Sequence, residues 1–465
     1  MGSISAPEIP ALTPLERIGP KGFLQYVFPF ELPEGYDPEQ ITFILKTGYK
    51  AASHRFPVLA CEAVPDPTAK PAGVMKLQHI DDSEVEAIVA KDLRKSGLMP
   101  SFSELKEKSF PVSAFDTDVL MRRHVWASPG ERLRVSQIQA NFIKGGLILG
   151  WSIFHMFGDG TTFFVWTQVW AEECRRAQNL SSHKPLDLPS TIFTDRERLM
   201  NPSGAHAGNF EDHPEYTLLP FTPPGPPPKM LSTDHRGQVF YFSREALQAL
   251  KEEASPSKAT QPSERTWIST NDALSALLWR TVMAVQNPVE SLPADGDPQS
   301  VFNIAIDARL RTDPPVHPQT LGCFLAYVSA VLPIRAMLSE YSLADIALRV
   351  RQAVLSARPG FTEDVAALID GISDVDRLVA TAFLDVPGFN CVQSSWAGFA
   401  LYDLDWGQLG KIQAVRSPSL GVINGLQVIF PVLPDGGLEV LVGLEENCLD
   451  KLLHEPLWNK FATAR

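Results

Sequence analysis

The chain has 465 residues, 44% of them hydrophobic and 20% charged, which supplies a large core and suits two domains rather than one. Its formal net charge of −13, with no basic tract, excludes a nucleic-acid surface, because phosphate binding needs clustered Lys and Arg. Apolar runs such as Leu147–Phe154 are far shorter than the roughly 20 residues that span a bilayer, and residues 1–20 carry Glu8 and several prolines in place of an apolar signal core, so a cytoplasmic protein with no membrane contact is expected.

Asp37-Pro38 reads as a helix cap followed by proline at the first helical position, and Ile41, Leu45 and Tyr49 recur at helical spacing, so a helix is predicted over 38–54. Ser136–Ile143 alternates polar and apolar residues, and Leu147–Phe154 is mainly apolar; both are predicted strands, the second the more deeply buried. After Gly160, the residues Phe163, Phe164, Trp166, Val169 and Trp170 mark an apolar helix that turns polar at Glu172–Arg176. The run Phe221–Lys229 is too rich in proline to continue a helix or an inner strand. It divides the chain into an N-terminal unit over 1–205, a crossover linker over 206–236 and a C-terminal unit over 237–465.

Beyond it, Ser269-Thr270-Asn271-Asp272 fits a capping box for a helix over about 271–286, with Ala273, Leu274, Leu277, Leu278, Thr281 and Val285 on one face. Val301–Ile306 and Leu438–Val442 are predicted buried strands, and Ser342-Leu343-Ala344-Asp345 caps another helix reaching about Ala357. Strands and helices therefore alternate in each half, an α/β or α+β layer pattern. The five cysteines lack paired spacing, which predicts reduced, buried thiols and neither a disulfide framework nor a zinc array.

The chemically informative segment follows Leu147. His155 emerges where a buried strand ends, and Asp159 follows between Gly158 and Gly160, so a rigid support meets a turn that lets backbone approach a substrate. Spacing alone leaves three readings open. His155 is a general base with Asp159 holding the turn, or the two share a metal ion, or His155 is a hydrogen-bonded core residue. The flanking glycines disfavour the helix that a metal pair at this spacing needs.

The run Phe154-His155-Met156-Phe157-Gly158-Asp159-Gly160 resembles the His-x-x-x-Asp-Gly motif of the BAHD acyltransferases and of their relatives, chloramphenicol acetyltransferase and the peptide-synthetase condensation domains. Further matches follow in family order: His54–Ala60, Lys144–Gly150, Ser269–Arg280, Asp307-Ala308-Arg309-Leu310-Arg311, Leu321–Phe324, Ser394-Ser395-Trp396, Asp403-Leu404-Asp405-Trp406-Gly407 and Leu444–Glu446. The pattern is most similar to the fungal branch that resembles trichothecene 3-O-acetyltransferase. Three departures stand out: Leu404-Asp405 replaces Phe-Gly, Cys323 replaces Asn, and Phe154 occupies the place of a first histidine, which favours a free-standing acyltransferase over a condensation domain.

The resemblance implies two chloramphenicol-acetyltransferase-like domains, each a mixed sheet flanked by helices, with an active-site channel between them. It implies acyl-CoA as co-substrate, no metal, and a small-molecule hydroxyl or amine of secondary metabolism as acceptor, on a monomeric enzyme. His155 is then the base, and Asp159 pairs with an arginine of the second half, for which Arg309 is the candidate. Gly160, Asp403, Trp406 and Gly407 support the site, while Lys258, Ser269 and Thr270 contact the CoA nucleotide. Two other functions remain open: an amide or ester synthase using a carrier-protein thioester, and a member repurposed as a cyclase or binding protein.

Overall fold

The structure is a computed structural model that describes residues 11–80, 88–180, 186–192, 194–200, 205–230, 235–260, 266–385, 388–417 and 423–465. Four strands, β1 (Phe23–Glu31), β2 (Ile88–Asp92), β3 (Ser136–Ile143) and β4 (Gly146–Phe154), form a sheet in the order β1-β4-β3-β2. β4 runs antiparallel to β1 and β3, and β2 runs parallel to β3, so the sheet is mixed. Every residue of β4 is buried, as its mainly apolar run leads one to expect. β3 is buried almost throughout as well, although its sequence alternates. Its polar side chains face protein: Gln139 donates to the Val119 carbonyl at 2.7 Å, and Asn141 to the Leu120 and Ile148 carbonyls at 3.0 and 3.1 Å. Helices α1 (Pro38–Arg55) and α2 (Gly160–Ala177) pack together over this sheet, where the Trp170 indole donates to the Leu45 carbonyl at 3.1 Å and meets Tyr49 edge-on. Asp37 caps α1 and Pro38 opens it, as the sequence indicates.

The second half builds a larger mixed sheet from β5 (His235–Phe242), β6 (Gln299–Asp307), β7 (Leu325–Pro333), β8 (Cys391–Ser395), β9 (Leu426–Ile429), β10 (Leu438–Glu445) and β11 (Thr463–Ala464), in the order β7-β6-β8-β9-β10-β5-β11. Helices α3 (Thr270–Gln286) and α4 (Leu343–Ser356) carry the expected capping boxes and cover one face. Trp279 of α3 stacks on Phe302 of β6 with ring centroids 5.2 Å apart, and its indole donates to Ser300 at 2.8 Å.

One connection crosses between the sheets. After β8 the chain leaves the second sheet and runs along the free edge of β1, where Val27 and Arg416 exchange backbone hydrogen bonds of 2.8 and 3.1 Å. Arg416 is buried and forks onto Glu439 of β10 at 2.6 and 2.9 Å, so this strap is anchored on both sheets. The strap covers an edge that would otherwise expose unpaired N–H and C=O groups. Residues beyond 390, Trp396, Trp406 and Phe430 among them, thereby join the core of the first sheet.

The expected linker over 206–236 carries more structure than its prolines suggest, and its residues 231–234 lie outside the described residues. Tyr216–Leu218 pairs with the strand Leu378–Ala380, and β5 already begins at His235. Just before that pairing, buried His213 places Nδ1 2.9 Å from Glu215 and Nε2 2.8 Å from Asp364. Both partners are carboxylates, so both ring nitrogens donate and the ring is an imidazolium. Burial opposes that charge, yet the two carboxylates hold the His213 pKa above its ordinary value. The stability this contact adds is therefore complete below the unfolded value of about 6.5 and lost as pH rises through the raised folded value. His213→Gln should lower the melting temperature more at pH 6 than at pH 8.5; an equal drop at both would show that the imidazolium charge is not what stabilises the clasp.

Candidate active site

β4 delivers its last residue, Phe154, to the junction of the two sheets, and the chain then turns through a single 3-10 turn, His155–Phe157, before α2 starts at Gly160. The His155 amide donates to the Gly22 carbonyl at 3.0 Å, which fixes the backbone at the corner. Its ring Nδ1 lies 3.0 Å from the Gly158 carbonyl. A carbonyl only accepts, so Nδ1 carries the hydrogen and Nε2 keeps its lone pair. Burial holds the imidazole below its ordinary pKa, and the Asp159 charge and local hydrogen bonds oppose that without reversing it. A neutral ring with an available Nε2 is the form that accepts a proton.

His155 lines a cavity of about 210 Å3 with mostly apolar walls. Both halves contribute, His155 and Gly160 from the first and Asp307, Tyr327, Ser394 and Trp396 from the second. Gly160 leaves space there, since a Cβ would fall 2.6 Å from the Phe399 ring.

Asp159 touches the same cavity, but its carboxylate is already committed. It caps α2 by accepting from the Thr162 amide at 3.0 Å, takes two bonds from Arg309 at 2.6 and 3.0 Å, and accepts from the Phe324 amide at 2.8 Å. Four donors on two oxygens leave no room for a metal ion shared with His155. Arg309 is fully buried and also donates to Asp307 and to the Thr320 and Gly322 carbonyls at 2.9, 2.7 and 3.2 Å. Burial alone would lower its pKa, but the Asp159 and Asp307 carboxylates hold it above its ordinary value. Asp159 and Arg309, which the sequence pairs only through resemblance, are thus brought together across the junction.

The remaining sequence candidates stand elsewhere. Trp406 is buried between Phe30 and Trp170, with ring centroids 5.5 and 5.1 Å away. Gly407 has φ +72°, and a Cβ would sit 2.4 Å from Gln178, so glycine is required where this turn meets the end of α2. Asp403 is exposed in a short turn, and Asp405 forms an ion pair with Arg175 of α2. This block docks the strap and does not line the His155 cavity. Neither do Lys258, Ser269 and Thr270. Lys258 is exposed and 3.3 Å from Glu253, Ser269 caps α3 through Asp272, and Thr270 opens that helix. Sequence reasoning missed Trp126, Met230, Tyr327 and Phe383 as cavity walls; no local pattern marks them, and only the tertiary packing does. Thr162, which donates to the Gly322 carbonyl at 2.7 Å, was also missed, though its place three residues after a capping aspartate marks it as part of the helix start.

A family model described as "Transferase family" matches residues 100–457, and a second, "Trichothecene 3-O-acetyltransferase-like N-terminal domain", matches residues 23–169. The chain is 26% identical over 455 residues to a protein of Penicillium crustosum named enoyl-CoA isomerase/hydratase, covering 96% of this chain but only half the length of that relative. It is 28% identical over 406 residues to an eremophilane O-acetyltransferase of Penicillium rubens, covering 81% of this chain and 82% of the relative. In fold it is similar to F. graminearum TRI101, solved with coenzyme A and T-2 mycotoxin, with a TM-score of 0.83 and 24% identity over 97% of this chain and 98% of the other.

Removing the Asp159 carboxylate strands the buried Arg309 guanidinium, so Asp159→Ala should cost about 3–5 kcal/mol of stability, read from chemical denaturation. A variant as stable as the parent but inactive would assign Asp159 to the chemistry instead.

Proposed function

The chain belongs to the BAHD-type Transferase family, whose model covers well over half of it, and from this membership we infer that it transfers an acyl group from acyl-CoA to a hydroxyl or amine of a small secondary metabolite. The observation that carries the reading is a neutral His155, with its Nε2 lone pair available, on a cavity shared by both halves. In the proposed reaction, Nε2 takes the acceptor's proton as the acceptor oxygen or nitrogen attacks the thioester carbonyl. The tetrahedral intermediate then collapses, the C–S bond breaks, and the departing thiolate takes the proton back from the imidazole. The Gly160 and Thr161 amides at the start of α2 are the proposed oxyanion donors, since a helix N-terminus presents N–H groups without intrahelical partners and the Thr162 amide is already spent on Asp159.

Asp159 and Arg309 position this corner without contacting the reacting atoms. Lys258, Ser269 and Thr270 are proposed contacts of the CoA nucleotide; they need not line the His155 cavity, because the pantetheine arm separates the thiol from the phosphates. Trp406, Gly407 and Asp403 support the docked strap. We read residues 1–205 and 237–465 as two units joined by 206–236. Because the cavity walls come from a single chain, a monomer suffices. All five cysteines are free and buried, in keeping with a reducing cytoplasm. Among the described residues, no helix is long and apolar enough to cross a membrane.

A thiol-release screen of acyl-CoA donors against pooled terpenoid, polyketide and alkaloid alcohols tests the reaction. His155→Ala should lower turnover by about 10²–10⁴ while leaving the melting temperature near that of the parent; undiminished thiol release would remove His155 from the chemistry. With a folded pKa below the ordinary value of about 6.5, the ring is unprotonated at pH 7. The acid limb of kcat/KM should therefore have its midpoint below 6.5, and a limb centred above 7 would contradict this assignment.

A further inference from the structure

A second cavity, of about 360 Å3, adjoins the His155 chamber. Six residues line both spaces: Pro20, Trp126, Met230, Leu325, Tyr327 and Phe383. All six are half-buried and stand between the two spaces, where a neck joining them would lie. The His155 chamber, at about 210 Å3, lies below the ~300–1,000 Å3 typical of sites that enclose a drug-sized ligand, and it must also admit a thioester. An acceptor with a sizeable skeleton does not fit there alone.

The walls of the second chamber indicate what it takes. Pro223, Pro224, Pro226 and Pro227 form one side and offer no backbone N–H to an anion. Two cations, Arg17 and Lys21, stand among its lining residues, and both are already paired: Arg17 with Asp370 at 2.6 Å, and Lys21 with Asp376. Their charges are met by carboxylates and the proline side supplies no amides, so the chamber favours an uncharged occupant over phosphate. Tyr216, Leu378 and Val379 complete a surface suited to hydrocarbon.

Resting on the acyltransferase reading, we propose that the acceptor is a neutral alcohol with an extended apolar skeleton. Its hydroxyl reaches His155 while the skeleton passes through the neck into the second chamber, and Trp126, Met230, Tyr327 and Phe383 determine the cross-section that passes. Met230 supplies an adaptable side to an otherwise stiff aromatic ring of contacts.

Equilibrium binding of 1-butanol through 1-decanol, measured by calorimetry, tests this without relying on turnover. Ala380 lines only the second chamber and is half-buried, so Ala380→Trp fills that space while leaving His155 untouched. In the wild type, affinity should rise about fourfold per added methylene as the chain enters the second chamber. In Ala380→Trp the rise should stop at a shorter alcohol, weakening 1-decanol at least tenfold and leaving 1-butanol within twofold. Gly225→Trp provides a second plug if the first variant does not fold; a Cβ there meets nothing within 4 Å. Matching length profiles in wild type and plugged variants would overturn the proposal, as would a wild-type profile with no dependence on length. Failure of the acyltransferase reading is distinct: it appears as absent thiol release, and the binding profile is scored either way.

Discussion

The buried pairing of Asp159 with Arg309 governs how the two halves of this chain meet. Asp159 ends the turn that carries His155, and it is also the cap of α2, so any shift of its carboxylate moves both the histidine corner and the helix axis. Arg309 belongs to the turn after β6 and binds Asp159 through two nitrogens while holding the Thr320 and Gly322 carbonyls of the next connection. A bidentate guanidinium–carboxylate contact restricts distance and plane together. Shielded from water, it relates the end of β4 to the start of β7 with little freedom. An ion pair in such a place is a weak source of net stability, because desolvation offsets much of the attraction. Its value is in specifying one geometry.

A second buried arginine repeats the arrangement on the far side of β1. Arg416 holds the strap by backbone bonds to Val27 and by its side chain to Glu439, Ser109 and Phe110. Trp406 fills the space between the strap, β1 and α2. Between these two ties, residues of both halves share one core. The Asp403–Gly407 block docks the strap against β1 and α2 and lines neither cavity.

His155 owes its tautomer and charge state to position more than to an exotic partner. The Gly158 carbonyl selects the tautomer, and burial keeps the ring neutral. Asp159 lies four residues away but spends its oxygens on Arg309, Thr162 and Phe324, so it does not form a charge-relay contact with the imidazole. In the proposed reaction the base is therefore an imidazole without a carboxylate partner, and the proton it accepts leaves with the product thiol.

Local elements were legible in the sequence because short-range effects decide them. Asp37-Pro38, Ser269–Asp272 and Ser342–Asp345 start helices through caps and proline geometry that need no distant partner, and the apolar run Leu147–Phe154 forms a strand buried on both faces. The His155–Gly160 corner was legible for the same reason, while its pairing with Arg309 came only from resemblance. The alternation of Ser136–Ile143 marks a strand but not what covers its polar side chains, which are satisfied by carbonyls of a segment that sequence does not place. The strap on β1 and the meeting of Trp126, Met230, Tyr327 and Phe383 in the walls of two cavities were decided by the tertiary structure alone. Those features depend on contacts between residues far apart in the chain, whose meeting is set by how sheets and helices pack and not by any local preference of the backbone.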